Sequence, residues 1–168
     1  SQTVAGKGRV AGFLAYPDEL ERFLDYIFDH SPLPISIKTR VGMTDEDQWG
    51  RILEIYRQYP VRLLIVHPRL RTDFYQGTIR HNCYEMAREI CRDIPICYNG
   101  DIFHLRDYEQ IINRYPDTDR IMIGRGLLSN PALGRRIRGG EPAGGEELER
   151  MLELIRAGSM QAMQDQNK

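Results

Sequence analysis

The apolar positions of this chain alternate between helical and strand spacing. Pro17 opens a stretch in which Leu20, Phe23, Leu24, Ile27 and Phe28 recur at helical spacing, with proline in the first turn where its missing N–H costs nothing. Pro32 and Pro34 break the pattern, and residues 35–40 read as a strand rich in β-branched side chains, ended by Gly42. Helical spacing returns over residues 45–59, where Trp49, Ile52, Leu53 and Tyr56 share a face. Residues 62–67 are a nearly continuous apolar run, as in a strand buried on both faces. A polar loop over 68–80 precedes a predicted helix over 82–92. Residues 96–99 form the next short strand, followed by a helix carrying Leu105, Tyr108, Ile111, Ile112 and Tyr115. Residues 120–123 form the last strand, and Asn130-Pro131 then supplies an N-cap and first-turn proline for a short helix. Residues 1–16 read as an irregular loop.

This order of strand and helix implies a parallel α/β sheet with right-handed crossovers. Four strand–helix units are half of a (β/α)8 TIM barrel, which typically takes about 250 residues. The predicted fold is therefore the last four βα units of such a barrel over residues 1–138. A glycine-rich linker follows over 139–145, and residues 146–168 begin a helical C-terminal extension marked by Leu148, Met151, Leu152 and Ile155. An open doubly wound sheet is the alternative, but it usually carries its phosphate glycines after the first strand.

Two strand ends narrow the choice. Asn99-Gly100-Asp101 and Gly124-Arg125-Gly126 each follow a short strand and lead into helical sequence. Glycine lets backbone N–H groups approach an anion closely, and arginine can pair with phosphate oxygens in a bidentate fork. In barrels, a phosphate site of this kind lies after strands seven and eight. The other two strands also end in polar residues, Lys38 with Arg40 and His67 with Arg69. Each residue singly has a structural explanation, but four such ends at the ligand-binding edge of one sheet point to a site.

Composition excludes rather than identifies. The 168 residues are 41% hydrophobic with a formal net charge of −1, so the chain is no polycation. No apolar run of about 18 residues occurs that could span a membrane as a helix. The three cysteines have neither metal-ligand spacing nor an even count, which favours a reducing cytoplasm. Lysine occurs only at positions 7, 38 and 168; the arginine bias suits phosphate contacts, and an arginine-rich proteome explains it equally well.

His67-Pro68-Arg69-Leu70-Arg71, continuing to Tyr75-Gln76-Gly77, resembles the His-x-Arg-x-Arg…Tyr-x-Gly signature of tRNA-dihydrouridine synthases. Ile37-Lys38-Thr39-Arg40-Val41-Gly42 is similar to that family's Lys-x-Arg-x-Gly strand. Asn99-Gly100-Asp101 and Met122-Ile123-Gly124-Arg125-Gly126…Asn130-Pro131 match its phosphate segments in order. Val4 and Gly8 fit the loop after the family's Cys-Pro, whose cysteine, the general acid, would lie just before Ser1. Two departures stand out: Asp73 where the family commonly has Gln, and Tyr98 where it has a small residue.

The resemblance implies a flavoenzyme that binds FMN and uses NADPH to reduce C5=C6 of a tRNA uridine. Lys38 would lie near the pyrimidine edge of the flavin and His67 would hydrogen-bond it. Asn99, Gly100, Asp101, Gly124 and Arg125 would surround its phosphate. Arg40, Arg69, Arg71 and Tyr75 would face the extruded uridine and nearby tRNA phosphates. With no cysteine in the expected loop and only half of a barrel's strands, the chain alone is expected to be inactive and to hold little flavin, and its exposed strand edges are expected to make it self-associate. Two rival functions remain: an FMN barrel oxidoreductase acting on a small molecule, and a non-catalytic half-barrel that binds RNA or assembles with a partner.

Overall fold

The computed structural model describes residues 10–74 and 76–165. Tyr75, Val4 and Gly8 lie outside the described residues. A 3-10 helix spans Val10–Ala15, within the stretch expected to be irregular. The helices and strands that follow are α1 (Pro17–His30), β1 (Ser36–Gly42), α2 (Trp49–Tyr56), β2 (Leu63–Leu70), α3 (His81–Ile90) and β3 (Ile96–Asn99). The remainder are α4 (Leu105–Arg114), β4 (Ile121–Met122), α5 (Arg125–Ser129), α6 (Leu133–Ile137) and α7 (Gly145–Asp165).

The four strands form one sheet in the order β1-β2-β3-β4, every pair parallel. Sequential parallel order is that of consecutive barrel units; a doubly wound sheet reverses its order at a switch point. The chain is thus an α/β fold carrying a segment of a TIM barrel.

By contact, the chain divides into one unit of Ser1–Gly100 with Asp117–Met122, and a second of Asp101–Pro116 with Ile123–Lys168. The first holds the sheet. Its core packs Val41, Leu64, Val66 and Tyr98 of the strands with Trp49, Ile52, Leu53, Tyr56, Cys83, Tyr84 and Ala87 of the helices. Two buried polar side chains there are hydrogen-bonded, which avoids a desolvation penalty. Trp49 Nε1 donates to the Cys83 carbonyl at 2.9 Å, and Tyr56 Oη donates to Thr39 Oγ1 at 3.1 Å. The second unit gathers Ile102, Ile111, Tyr115, Ala132 and Leu133.

Three boundaries differ from the sequence reading for local reasons. α2 starts at Trp49 rather than near Asp45, because the Asp45 carboxylate accepts from the Asp47 N–H at 3.2 Å and from Thr44 Oγ1 at 2.9 Å. Those bonds favour a turn over helix. β2 runs on to Leu70, so three residues assigned to the loop belong to the strand. Asn130 terminates α5, a helix not expected, and α6 begins at Leu133 rather than beside Pro131. Within 139–145, Arg135 donates to the carbonyls of Glu141 (2.9 Å) and Pro142 (3.2 Å), and its guanidinium pairs with Glu147 at 2.8 Å. One side chain thereby ties the linker to the start of α7.

Candidate functional site

Strand alternation sorts the polar residues. Lys38 is in register with Ile65 and Cys97, Arg40 with His67, and Asn99 with Met122. Successive side chains point to opposite faces, so Lys38, Arg40, His67, Cys97 and Asn99 share one face. Thr39, Val66, Tyr98 and Ile121 take the other, where the helices pack. Tyr98 belongs to this second set: it is buried, and its ring meets Tyr84 edge-on at 5.0 Å. The large residue found where the resemblance expects a small one therefore fills the helix layer, not the face that carries Lys38.

On the polar face, Lys38 is exposed at the edge strand. Partial desolvation, with the Arg40 charge two residues on, holds its ammonium below the ordinary lysine value. His67 is buried in the middle of the sheet. Asn99 Nδ2 donates to the Met122 carbonyl at 2.8 Å, fastening β4 to β3 at the end of the ladder.

The loop after β2 is built by charge. Arg40 donates to the carbonyls of Leu70 (2.5 Å) and Phe74 (2.9 Å). Arg69 is only 4% exposed, and its Nε donates to the Gly77 carbonyl at 2.5 Å. Asp73 accepts from the Leu70 N–H at 2.8 Å and from Arg80, whose Nε lies 2.8 Å from Glu46. Burial works against the charge on Asp73. The hydrogen bonds from Arg80 and Leu70, with the Arg80 and Arg69 charges, outweigh it and hold the carboxyl below its ordinary value. A Cβ on Gly77 would come within 2.4 Å of the Asp73 side chain, so only glycine lets the loop close on this carboxylate. Of the residues assigned to an RNA substrate, Arg40 and Arg69 thus have guanidinium contacts inside the loop, and Arg71 is half-buried beside them. Sequence reasoning missed Asp73 and Arg80 as loop-forming residues; their spacing of seven carries no recognisable signal.

In the second unit, Arg125 Nη2 is 2.7 Å from Asp101 Oδ1. A Cβ on Gly124 would meet nothing within 4 Å, whereas one on Gly126 would lie 1.9 Å from the Ile102 carbonyl oxygen. Gly126 is required by packing; Gly124 borders open space. An arginine beside an uncrowded glycine backbone fits a phosphate group, with Asp101 as the counter-charge such a group would share.

The three cysteines are free and buried. Burial pushes the Cys83 thiol up to about 12 and Cys91 to about 11, and raises Cys97 as well, so all three are protonated and unreactive at neutral pH. Among the described residues, no group of His, Cys, Asp and Glu is arranged to hold a metal ion, and no helix is long and apolar enough to cross a membrane.

Comparison with known proteins gives the family. The family model for dihydrouridine synthase (Dus) matches residues 1–161. The chain is 32% identical over 127 residues to tRNA-dihydrouridine synthase B of Pasteurella multocida, covering 74% of this chain and 37% of that protein. It is 30% identical over 146 residues to the tRNA-dihydrouridine(16) synthase of Shigella flexneri, covering 84% and 45%. A probable tRNA-dihydrouridine synthase 2 of Bacillus subtilis is 29% identical over 132 residues, covering 76% and 40%. The chain therefore spans about two fifths of the length of the curated relatives it matches. With its parallel barrel strands and their polar ends, the chain belongs to the dihydrouridine synthase family.

Proposed function

We propose that these residues serve a tRNA-dihydrouridine synthase, an oxidoreductase that reduces C5=C6 of a tRNA uridine with FMN and NADPH. The observation that best supports this is the shared sheet face of Lys38, Arg40, His67 and Asn99. The names of the relatives support tRNA as substrate. When bound, FMN would carry the hydride from NADPH to the pyrimidine.

The chain's own residues would hold and orient. The Lys38 ammonium would neutralise charge at the pyrimidine edge of the flavin, and His67 would hydrogen-bond the ring from the adjoining strand. Within the second unit, Gly124 and Arg125 would donate to phosphate oxygens, with Asp101 fixing the guanidinium. Asn99 and Gly100 are assigned to the flavin phosphate by the family resemblance alone. Arg71 and Tyr75 would face the extruded uridine and nearby RNA phosphates, a base needing to leave its stack before reduction. Arg40 and Arg69 would act on the same substrate by setting the loop.

The buried free thiols support a reducing compartment, the cytoplasm. The 168 residues on their own are proposed to be inactive and nearly flavin-free, because four strands supply half the wall of a closed barrel.

One observation favours a second reading, an FMN oxidoreductase with a small-molecule substrate. Arg69, expected to face the uridine and tRNA phosphates, is buried. Substrate competition separates the two. With the whole protein, FMN and NADPH, unmodified tRNA should drive NADPH oxidation while free uridine should not. Equal turnover of both would favour the small-molecule enzyme.

A further inference from the structure

Phe74 is the one non-glycine residue with positive φ among the described residues, at 49°, and it is 53% exposed. A bulky side chain seldom adopts the left-handed region, and holding it there requires the surroundings to over-determine it. They do. Arg40 Nη2 grips the Phe74 carbonyl at 2.9 Å, and the Phe74 N–H donates to the Arg71 carbonyl at 3.2 Å. The preceding residue, Asp73, is pinned by the Leu70 N–H and Arg80. The strain brings no core packing in return, since the ring stays in solvent.

We propose that Phe74 is a stacking platform for an unpaired base of the RNA substrate, an inference that rests on the tRNA reading above. A backbone fixed before binding loses less freedom when a base stacks on the side chain it carries. Aromatic rings among cations are the chemistry of single-stranded nucleic-acid recognition, the ring taking a base and the cations the backbone. Two cations lie close in the loop: Arg40, whose guanidinium holds the Phe74 carbonyl, and Arg71, whose own carbonyl accepts the Phe74 N–H. Among the described residues, its exposed sequence neighbours Thr72, Gln76 and Thr78 are polar, which suits a wet RNA contact better than an apolar protein interface.

The test is the binding of an unmodified tRNA transcript to the full chain and to Phe74→Gly and Phe74→Trp, across a salt series. Glycine relieves the left-handed backbone while deleting the ring, so Phe74→Gly should melt no lower than wild type yet bind tRNA about tenfold more weakly. The salt slope should not change, since no phosphate contact is lost. Phe74→Trp should keep wild-type affinity. Wild-type affinity in Phe74→Gly, a reduced salt slope in that variant, or a loss in Phe74→Trp as large as in Phe74→Gly would each overturn the platform. If wild type binds tRNA and Phe74→Gly binds equally, only the platform fails; if wild type binds no tRNA, the tRNA reading fails with it.

Discussion

Arg125 reaches Asp101 with a 2.7 Å ion pair, and its guanidinium lies 5.1 Å from the centre of the Phe103 ring. The cation proposed to hold a phosphate is thus oriented by a carboxylate that also repels one. Asp101→Asn would keep an acceptor for Arg125 while removing the like charge. In the whole protein it should tighten FMN binding a few-fold, while Arg125→Ala should weaken it by about 1–3 kcal/mol. Flavin titration checks both, and unchanged affinity in Arg125→Ala would remove that residue from the phosphate site.

The two neighbouring glycines should behave oppositely. Gly126→Ala forces a methyl group to within 1.9 Å of the Ile102 carbonyl oxygen and should destabilise the chain by about 1–3 kcal/mol. Gly124→Ala meets no atom within 4 Å and should leave thermal stability unchanged, while lowering FMN affinity if that space receives the phosphate. Thermal melts of the two variants decide the first contrast.

Asp73 gives the loop a pH dependence. Its folded-state carboxyl is held below the ordinary 3.8, so its contribution is full above that value and is lost as pH falls through the lowered one. Asp73→Asn keeps an acceptor for the Leu70 N–H but not the charge paired with Arg80. It should be less stable than wild type by about 1–2 kcal/mol near neutral pH, with the gap closing only in acid below 3.8. Urea unfolding at neutral and acid pH measures the gap; one that persists unchanged in strong acid would show that the Asp73 charge is not its source.

The sheet was legible from sequence because its strands are short apolar runs bounded by proline and glycine, and their polar ends fell where barrel chemistry expects them. Tyr98 could be flagged as unusual but not assigned to the helix-facing layer, which depends on register with Val66 and Ile121. Arginine is rarely buried, so nothing in sequence marked Arg69 as an internal strut. The five residues of α5 are too few to show a period, and the left-handed turn at Phe74 leaves no compositional trace because the residue there is not glycine.

The strand edges of the 168-residue chain lead us to expect that it self-associates. Among the described residues, β1 pairs only with β2 and β4 only with β3. Beside β1 lies a largely apolar cleft of about 540 Å³, lined in part by Phe13, Leu24, Ile35 and Tyr56. An unpaired edge flanked by apolar surface invites another strand, and a symmetric dimer is the simplest closure. Sedimentation over a dilution series should show a concentration-dependent dimer. A monomer throughout would mean that these edges are covered within one chain.

The most direct test of the proposed function is the dihydrouridine content of tRNA exposed to the whole protein with FMN and NADPH. Mass spectrometry of digested, initially unmodified tRNA should find a uridine that has gained two hydrogens. That product should disappear when NADPH is omitted. Fully unreduced tRNA after incubation with flavin-loaded, NADPH-reducible protein would contradict the proposal.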